Sequence, residues 1–260
     1  MTWLEITLLI VSGVFVGFIN TLAGGGTIIS LSLFMFMGLP ANIANGTNRI
    51  AVILQNMTSV TEFRRKKMLD LRKGTALAIP TVIGAMVGAQ IATDINEEIF
   101  EKALAVVMII MVYFIVVKPS KWLKGQQELI EKKVNWLQIL IFFLIGVYGG
   151  FVQVGVGYFI LAGVVLGAGY DLVRANAIKV WIVLLYTPMA LLVFIFNDQV
   201  RWDYGLVHSI CNIIGAFVAS RFAITWGANF VRWVMIVVIV GTVLQLFGVV
   251  DFQTLLLRHQ

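Results

Sequence analysis

Charged residues are scarce in this chain: Asp, Glu, Lys and Arg make up 12% of its 260 residues. Soluble domains carry about 25% charged residues, so the composition excludes a soluble globular protein. The 60% share of hydrophobic residues excludes a disordered chain as well. Cysteine occurs once, at Cys211, which excludes a disulfide within the chain and a thiolate metal cluster. Histidine occurs twice, so a histidine-rich metal site is not expected, and we predict neither a metal nor a cofactor.

What the chain has instead is long apolar segments that recur from end to end. Such segments are typical of transmembrane helices, and no stretch is left over for a soluble domain. The ten segments span about 4–19, 27–37, 47–63, 74–93, 98–117, 136–152, 157–168, 174–196, 205–224 and 229–249. The second and the seventh are too short to cross a bilayer of about 30 Å at about 1.5 Å per residue. We therefore predict an all-α polytopic membrane protein in which these two segments are half-helices.

Basic residues are concentrated between the apolar segments. The loops at 64–73 and 118–133 hold eleven of the 19 Lys and Arg residues, an excess that is typical of cytoplasmic loops. We predict that both loops are cytoplasmic and that both termini lie on the outer side. A net charge of +6 that is confined to loops does not indicate nucleic-acid binding; the lipid bilayer is the predicted partner. The N-terminal segment lacks a basic cluster before its apolar stretch and is predicted to be a membrane helix, not a cleaved signal peptide.

The second half of the chain matches the first at a shift of 131 residues. The matching positions are small residues and one Ala-Asn pair: Gly24 with Gly155, Gly26 with Gly157, Gly38 with Gly169, Ala44-Asn45 with Ala175-Asn176, Gly74 with Gly205, and Gly84-Ala85 with Gly215-Ala216. We infer a first repeat at 1–117, a basic loop at 118–135 and a second repeat at 136–260. Since the basic loop at 64–73 matches a loop at 195–204 without the basic excess, and each half has five segments, we predict that the repeats are inverted. This pattern is typical of secondary transporters.

Each repeat contains a glycine-rich break between its first two segments. The residues of the breaks that we assign to a substrate site are small or neutral: Asn20, Gly24, Gly25 and Gly26 in the first repeat, and Gln153, Gly155 and Gly157 in the second. Successive glycines destabilise a helix interior by about 1 kcal/mol each, and unwound backbone at membrane depth is tolerated only where it is buried or lines a cavity. If helices restart at Thr27 and Tyr158, their N–H groups suit an anion. The alternative is close helix packing, which we prefer for Gly84 and Gly88.

A polar run follows each break. The site residues that we assign here are Asn45, Thr47, Asn48 and Arg49 in the first repeat, and Asn176 and Lys179 in the second. Charges this close to membrane spans are functional candidates, and we predict that Arg49 and Lys179 neutralise the anion while the asparagines donate hydrogen bonds. The alternative for either cation is an end-of-helix residue that reaches the headgroups.

Two further polar residues are assigned structural roles. His208 could relay protons, but we prefer a hydrogen-bonded residue at a helix contact. Arg174 lies beside Asp171 in the sequence and is predicted to be a paired loop charge.

Several motifs together resemble those of a known family. They are Gly17-Phe18-Ile19-Asn20 to Gly24-Gly25-Gly26, then Gly38-Leu39-Pro40, Ala44-Asn45-Gly46-Thr47-Asn48, and the basic turn Phe63-Arg64-Arg65-Lys66-Lys67 with Asp70-Leu71-Arg72. The set resembles the TauE/SafE sulfite exporter family, also called the toluene sulfonate uptake permease family, over nearly the whole chain. The resemblance implies a multi-pass carrier of the bacterial inner membrane for sulfite, sulfoacetate or aromatic sulfonates, driven by ion or proton gradients. The chain departs from the family pattern in a thinner glycine run at 154–157 and at Asn48-Arg49. For the extra arginine we hypothesise a larger or more highly charged anion.

We therefore predict a secondary transporter that works by alternating access, with a small oxyanion bound near the midplane between two half-helix N-termini. The alternatives are an anion channel, a carrier for a different small carboxylate or oxyanion, and a non-transporting assembly protein. An enzyme is not predicted, because the spans supply no Ser with a matching His and carboxylate and no paired acids; no catalytic residue is assigned. Because many small carriers pair up, a homodimer is a candidate assembly.

Overall fold

The computed structural model describes residues 3–94 and 126–246, and these residues contain helices and no strand. The helices in chain order are α1 (Trp3–Leu22), α2 (Thr27–Phe36), α3 (Ala41–Arg65), α4 (Leu71–Asp94), α5 (Gln127–Glu131), α6 (Trp136–Phe151), α7 (Val156–Ala162), α8 (Leu172–Phe196) and α9 (Trp202–Leu246). Helix α7 continues into a π-helical turn at Gly163–Gly167. The all-α prediction is confirmed for these residues, and the predicted segment at 98–117 lies outside them.

The described helices include three that are long and apolar enough to cross a membrane, at Leu71–Thr93, Leu172–Phe196 and Trp202–Gly227. Four apolar helices are shorter: Ile6–Leu22, Thr27–Phe36, Trp136–Phe151 and Val156–Gly167. Helix α3 has 25 residues but is less apolar, because its buried face carries the polar run of the first repeat. These helices are those of a multi-pass membrane protein.

Both predicted helix breaks are present. Residues 23–26 separate α1 from α2, and residues 152–155 separate α6 from α7. Gly24 and Gly155 have φ angles of 86° and 67°, a left-handed conformation that glycine adopts without the Cβ clash of other residues. The first helix restarts at Thr27 as predicted. The second restarts at Val156, two residues before the predicted Tyr158, because the left-handed Gly155 already ends the break and Gly157 is helical.

Three pairs of left-handed positions are related by the sequence shift of 131 residues, whereas the left-handed Gln153 matches the helical Leu22. Gly24 and Gly155 form one pair, Gly38 and Gly169 a second with φ angles of 85° and 81°, and Lys67 and Asp198 a third with φ angles of 56° each. Three backbone turns therefore have the same local geometry at matching positions of the two halves. This agreement supports the predicted duplication, while the inverted relation of the halves stays a prediction.

The order in which the helices pack is symmetric, because exchanging each helix for its match in the other half (α1 with α6, α3 with α8, α4 with α9) gives the same order in reverse. Helix α1 packs on α9, α9 on α3, α3 on α8, α8 on α4, and α4 on α6. The central contact is thus between α3 and α8, the helices that carry Arg49 and Lys179. In the outer pair, a Cβ atom on Gly84 or Gly88 would lie 2.1 or 1.9 Å from a carbonyl oxygen of α6, which confirms the prediction that these glycines allow close packing.

The last helix is kinked where the sequence separates the ninth and tenth apolar segments. Gly227, with φ 72° and ψ −167°, interrupts the helical backbone inside α9. No atom of the described residues lies within 4 Å of the place where a Cβ on this glycine would be, so its backbone conformation is what favours glycine there.

The basic turn after α3 is fastened to the second half of the chain. The hydroxyl of Tyr170 donates to a carboxylate oxygen of Asp70 at 2.5 Å, and the backbone N–H of Lys73 donates to the other at 3.0 Å. The ammonium of Lys73 donates to the carbonyls of Ile130 and Lys132. Burial alone would raise the pKa of Asp70. The hydrogen bonds that its carboxylate accepts from the Tyr170 hydroxyl and from the backbone N–H groups of Lys73 and Arg72 hold the pKa below its usual value.

Candidate functional site

A small cavity lies where the two helix breaks meet. It offers about 20 Å³ to the centres of water molecules, which is room for about one water. The described residues that line it are Asn20, Gly24, Thr27, Val52, Gln55, Asn56, Gln153, Val156, Gly157, Lys179 and Val183. They come from both breaks and from the central helices α3 and α8, so the cavity joins the two halves of the chain.

The breaks touch through glycine backbone. A Cβ atom on Gly24 would lie 2.5 Å from the Cα of Gly157, and a Cβ on Gly157 would lie 2.5 Å from the Cα of Gly24. Gly25 is also crowded, since a Cβ there would lie 2.3 Å from the hydroxyl oxygen of Tyr158. At Gly24 and Gly157 there is no room for a methyl group without movement of the backbone, whereas at Gly25 the Tyr158 side chain would have to shift. These glycines therefore allow the first break to approach the start of α7 closely.

Asn20 binds the start of the helix after its own break. Its side-chain oxygen accepts a hydrogen bond from the backbone N–H of Thr27 at 3.0 Å, and its amide nitrogen donates to the Thr27 hydroxyl at 3.3 Å. The end of α1 thus satisfies one of the free N–H groups of α2. Asn20 is 6% exposed and lines the cavity, so it fixes the shape of the first break beside the site.

Lys179 lies on α8 and is buried at the cavity. Its ammonium donates to the carbonyls of Asn20 and Thr21 at 2.9 and 2.8 Å, two of the last carbonyls of α1. Carbonyls at a helix C-terminus carry partial negative charge and lack intrahelical partners. The two bonds leave one of the three ammonium donors for another acceptor. With 2% of its surface exposed, Lys179 does not reach the headgroups.

Arg49 lies on α3 and binds the end of α6. Its guanidinium donates to the carbonyls of Gly149 and Gly150 at 3.3 and 2.5 Å and lies 4.7 Å from the ring centre of Phe194. The side chain of Asn45 adds a bond to the carbonyl of Phe151 at 2.7 Å. Arg49 is fully buried, so the headgroup alternative does not apply to it, but it is not among the described residues that line the cavity.

The structure brings together part of the predicted site. Of the predicted residues, Asn20, Gly24, Gln153, Gly157 and Lys179 line the cavity, and Gly25, Gly26, Asn45, Thr47, Asn48, Arg49, Gly155 and Asn176 do not. The hydroxyl of Thr47 accepts from the backbone N–H of Arg201 at 2.9 Å. Asn48 and Asn176 are fully buried, and neither amide has a hydrogen-bond partner among the described residues.

Gln55 and Asn56 line the cavity but were not assigned to it from the sequence. Asn56 donates to the carbonyl of Val52 one turn earlier, while the side-chain oxygen of Gln55 has no partner among the residues that the structure describes. Gln153, with a left-handed φ of 63°, presents an equally unpartnered side-chain oxygen. The sequence contains a signal for both residues, because Gln55 and Asn56 are adjacent amides inside an apolar segment. Polar side chains at membrane depth face protein or water, so the pair is a candidate for a buried polar site.

Two structural assignments from the sequence are confirmed. One ring nitrogen of His208 lies 2.9 Å from the Ser30 hydroxyl and the other 3.1 Å from the carbonyl oxygen of Leu9, so both nitrogens have partners. Arg174 lies 3.8 Å from a carboxylate oxygen of Asp171. In the part of the chain that the structure describes, no group of three His, Cys, Asp or Glu residues could hold a metal ion.

Comparisons with known proteins agree on one family. The sequence profile of the family described as sulfite exporter TauE/SafE matches residues 9–246. The chain is 26% identical over 240 residues to the probable membrane transporter protein ORF9 of a Sinorhizobium species, covering 92% of this chain and 91% of that protein. It is 24% identical over 225 residues to the probable membrane transporter protein YfcA of Escherichia coli K12, covering 85% and 82%. No solved structure matches the chain.

Proposed function

The chain belongs to the sulfite exporter TauE/SafE family, and on this premise we propose that it is a secondary transporter of small sulfur-containing anions. Its relatives are probable membrane transporters. The proposed substrates are sulfite, sulfoacetate or other organosulfonates. The anion binds between the two helix breaks, and the protein works by alternating access.

One observation carries the proposal: the cavity between the breaks is lined by a buried ammonium and several carboxamides. Lys179 supplies the positive charge, and Asn20, Gln55, Asn56 and Gln153 supply neutral polar groups. The N-terminal residue of α2, Thr27, also lines the cavity, and the N-terminus of a helix favours negative charge. Such an arrangement can exchange the hydration shell of a small oxyanion for hydrogen bonds from protein groups.

The size of the cavity favours a carrier over an open channel. With room for about one water, the site is too small in this conformation for a larger ligand. An oxyanion with several oxygen atoms requires the lining elements to separate before it enters. A site that must open to bind is expected of a carrier, whereas a channel needs a continuous wide path.

The two halves of the chain are proposed to be inverted repeats that move against each other. The matching left-handed turns and the symmetric packing order of the helices support this relation. We place the protein in the bacterial inner membrane, with the basic loop at 64–73 on the cytoplasmic side according to the positive-inside rule. The contact of Gly24 with Gly157 then lies near the midplane, where transporters of this kind bind their substrates.

Counterflow in proteoliposomes tests the proposal. Vesicles that contain purified protein and are loaded with unlabelled sulfite are diluted into labelled sulfite, and transient accumulation of label is expected. Replacing Lys179 with alanine should abolish the accumulation. Arg174→Ala is the matched control, because Arg174 is a basic residue of the same helix whose half-exposed side chain pairs with Asp171.

The result separates carrier from channel. A carrier gives saturable uptake and counterflow, and a channel gives flux without either. If Lys179→Ala retained the wild-type rate, the cavity would lose its assigned role. If the wild-type protein moved none of the sulfur-containing anions, the proposed substrate class would be wrong.

A further inference from the structure

The described lining of the cavity carries one positive charge. Among the described lining residues Lys179 alone carries a charge, and the others are amides, glycine, threonine and valine. None of these other lining residues is titratable. The ammonium of Lys179 therefore faces neutral groups and the carbonyls of Asn20 and Thr21.

The second buried cation of the central helices does not add to this charge. The guanidinium of Arg49 is bound to the carbonyls of Gly149 and Gly150 and lies over Phe194. It is directed at the end of α6 and does not line the cavity. The hypothesis that Arg49 favours a more highly charged anion is therefore not carried forward.

A single ammonium can neutralise a single negative charge. A second charge on the ligand would be buried without a counter-ion, and burial of an unpaired charge is strongly unfavourable. Resting on the proposed function, we infer that the site accepts its oxyanion in the singly charged form and rejects the dianion. The form of sulfite that the site binds is then hydrogen sulfite. Sulfonates with one sulfonate group are also accepted, because they carry one negative charge.

The amides of the cavity suit the same form. The side-chain oxygens of Gln55 and Gln153 have no hydrogen-bond partner among the described residues and are buried. A carboxamide can accept from a hydroxyl through its oxygen or donate to an anionic oxygen through its nitrogen. The Gln153 nitrogen already donates to the Thr187 hydroxyl at 3.4 Å. The free oxygens of Gln55 and Gln153 can thus accept the O–H of a protonated oxyanion without adding charge.

Three anions with different charge behaviour test the inference in proteoliposomes. Methanesulfonate is a monoanion on both sides of neutrality, sulfate is a dianion on both sides, and sulfite changes from monoanion to dianion as the pH rises through neutrality. We expect the uptake rate of methanesulfonate to stay the same as the pH rises through neutrality. The uptake rate of sulfite should fall over the same range. Sulfate should compete at least about tenfold more weakly.

Methanesulfonate is the internal control for titration of the protein itself. If its uptake fell in parallel with that of sulfite, the pH effect would belong to the protein and not to the ligand, which would contradict the inference. Equal transport of sulfate and methanesulfonate would also overturn it while leaving the proposed function intact. Failure of all three anions would reject the proposed function and the inference with it.

A gain of charge provides the converse test. Gln55→Lys adds a second ammonium to the cavity and should raise the competition by sulfate at least about tenfold relative to methanesulfonate. Gln55→Met removes the amide without adding charge and should leave sulfate excluded. Asn56→Lys places the charge on the neighbouring lining residue if the first variant does not fold. Unchanged exclusion of sulfate in a folded lysine variant would contradict the inference.

Discussion

Arg49 and Lys179 make the same kind of contact in opposite halves of the molecule. Lys179, from the second half, donates to the last carbonyls of α1 in the first half. Arg49, from the first half, donates to the last carbonyls of α6 in the second half. Each helix that ends in a break therefore has its C-terminal carbonyls satisfied by a cation from the other half. Lys179 also faces the cavity, which gives the two cations different expected roles.

Replacing Arg49 with alanine should destabilise the protein. The carbonyls of Gly149 and Gly150 would remain buried without their charged donor, at a cost of about 3 kcal/mol. Thermal unfolding in detergent should show a markedly lower midpoint. Arg201→Ala is the control, because its half-exposed guanidinium pairs with Asp203 and such surface pairs contribute about 0 to 1 kcal/mol. Equal midpoints for Arg49→Ala and the wild type would refute the capping role.

Gly24→Ala should be more harmful than Gly38→Ala. Both glycines have left-handed φ angles, 86° and 85°, so both substitutions incur a backbone cost of about 1 to 2 kcal/mol. A Cβ at position 24 would also lie 2.5 Å from the Cα of Gly157, whereas no atom in the described part of the chain lies within 4 Å of one at position 38. The difference between the two unfolding midpoints measures the contact of the breaks. A difference of zero would mean that the breaks can separate without strain.

The hydrogen bond from Tyr170 to Asp70 should make stability depend on acid pH. Because the folded-state pKa of Asp70 is below its usual value, its contribution is present above the unfolded-state pKa and is lost as the pH falls through the folded-state pKa. Tyr170→Phe should remove about 1 kcal/mol at neutral pH, since Asp70 is partly exposed, and should flatten the loss of stability in acid. Melting curves across the acid range measure both effects. Parallel curves for the two proteins would exclude this origin of the acid sensitivity.

His208→Gln should leave transport unaffected. Both ring nitrogens of His208 have partners in Ser30 and Leu9, and His208 does not belong to the described lining of the cavity. Glutamine preserves part of this hydrogen bonding, so a modest loss of stability of about 1 kcal/mol is expected. The pH profile of anion uptake is the decisive readout. Loss of proton-dependent uptake in the folded variant would indicate a proton relay instead.

The sequence predicted the helix breaks because the chemistry of glycine is local. Successive glycines disfavour a helix wherever they occur, and the breaks were found at Gly24 and Gly155. The partners of Arg49 could not be predicted, because Gly149 and Gly150 are 100 and 101 residues away in the sequence and only the tertiary fold brings them to α3. From sequence alone, Arg49 and Lys179 are predicted to neutralise a ligand, because the carbonyls that each break leaves unpaired come near them only in the folded chain. The sequence does indicate that Gln55 faces protein or water, because it lies inside an apolar segment. Which groups it faces depends on the packing of α3 on α8 and α9.

The position of a bound anion tests the central claim most directly. A structure solved with bromomethanesulfonate would locate the ligand through the anomalous scattering of its bromine. We expect the sulfonate within hydrogen-bond distance of the Lys179 ammonium and the Gln55 and Gln153 side chains, with the two breaks farther apart than in the present conformation. Bromine bound away from the breaks, with the cavity still closed and Lys179 still on the carbonyls of Asn20 and Thr21, would contradict the account.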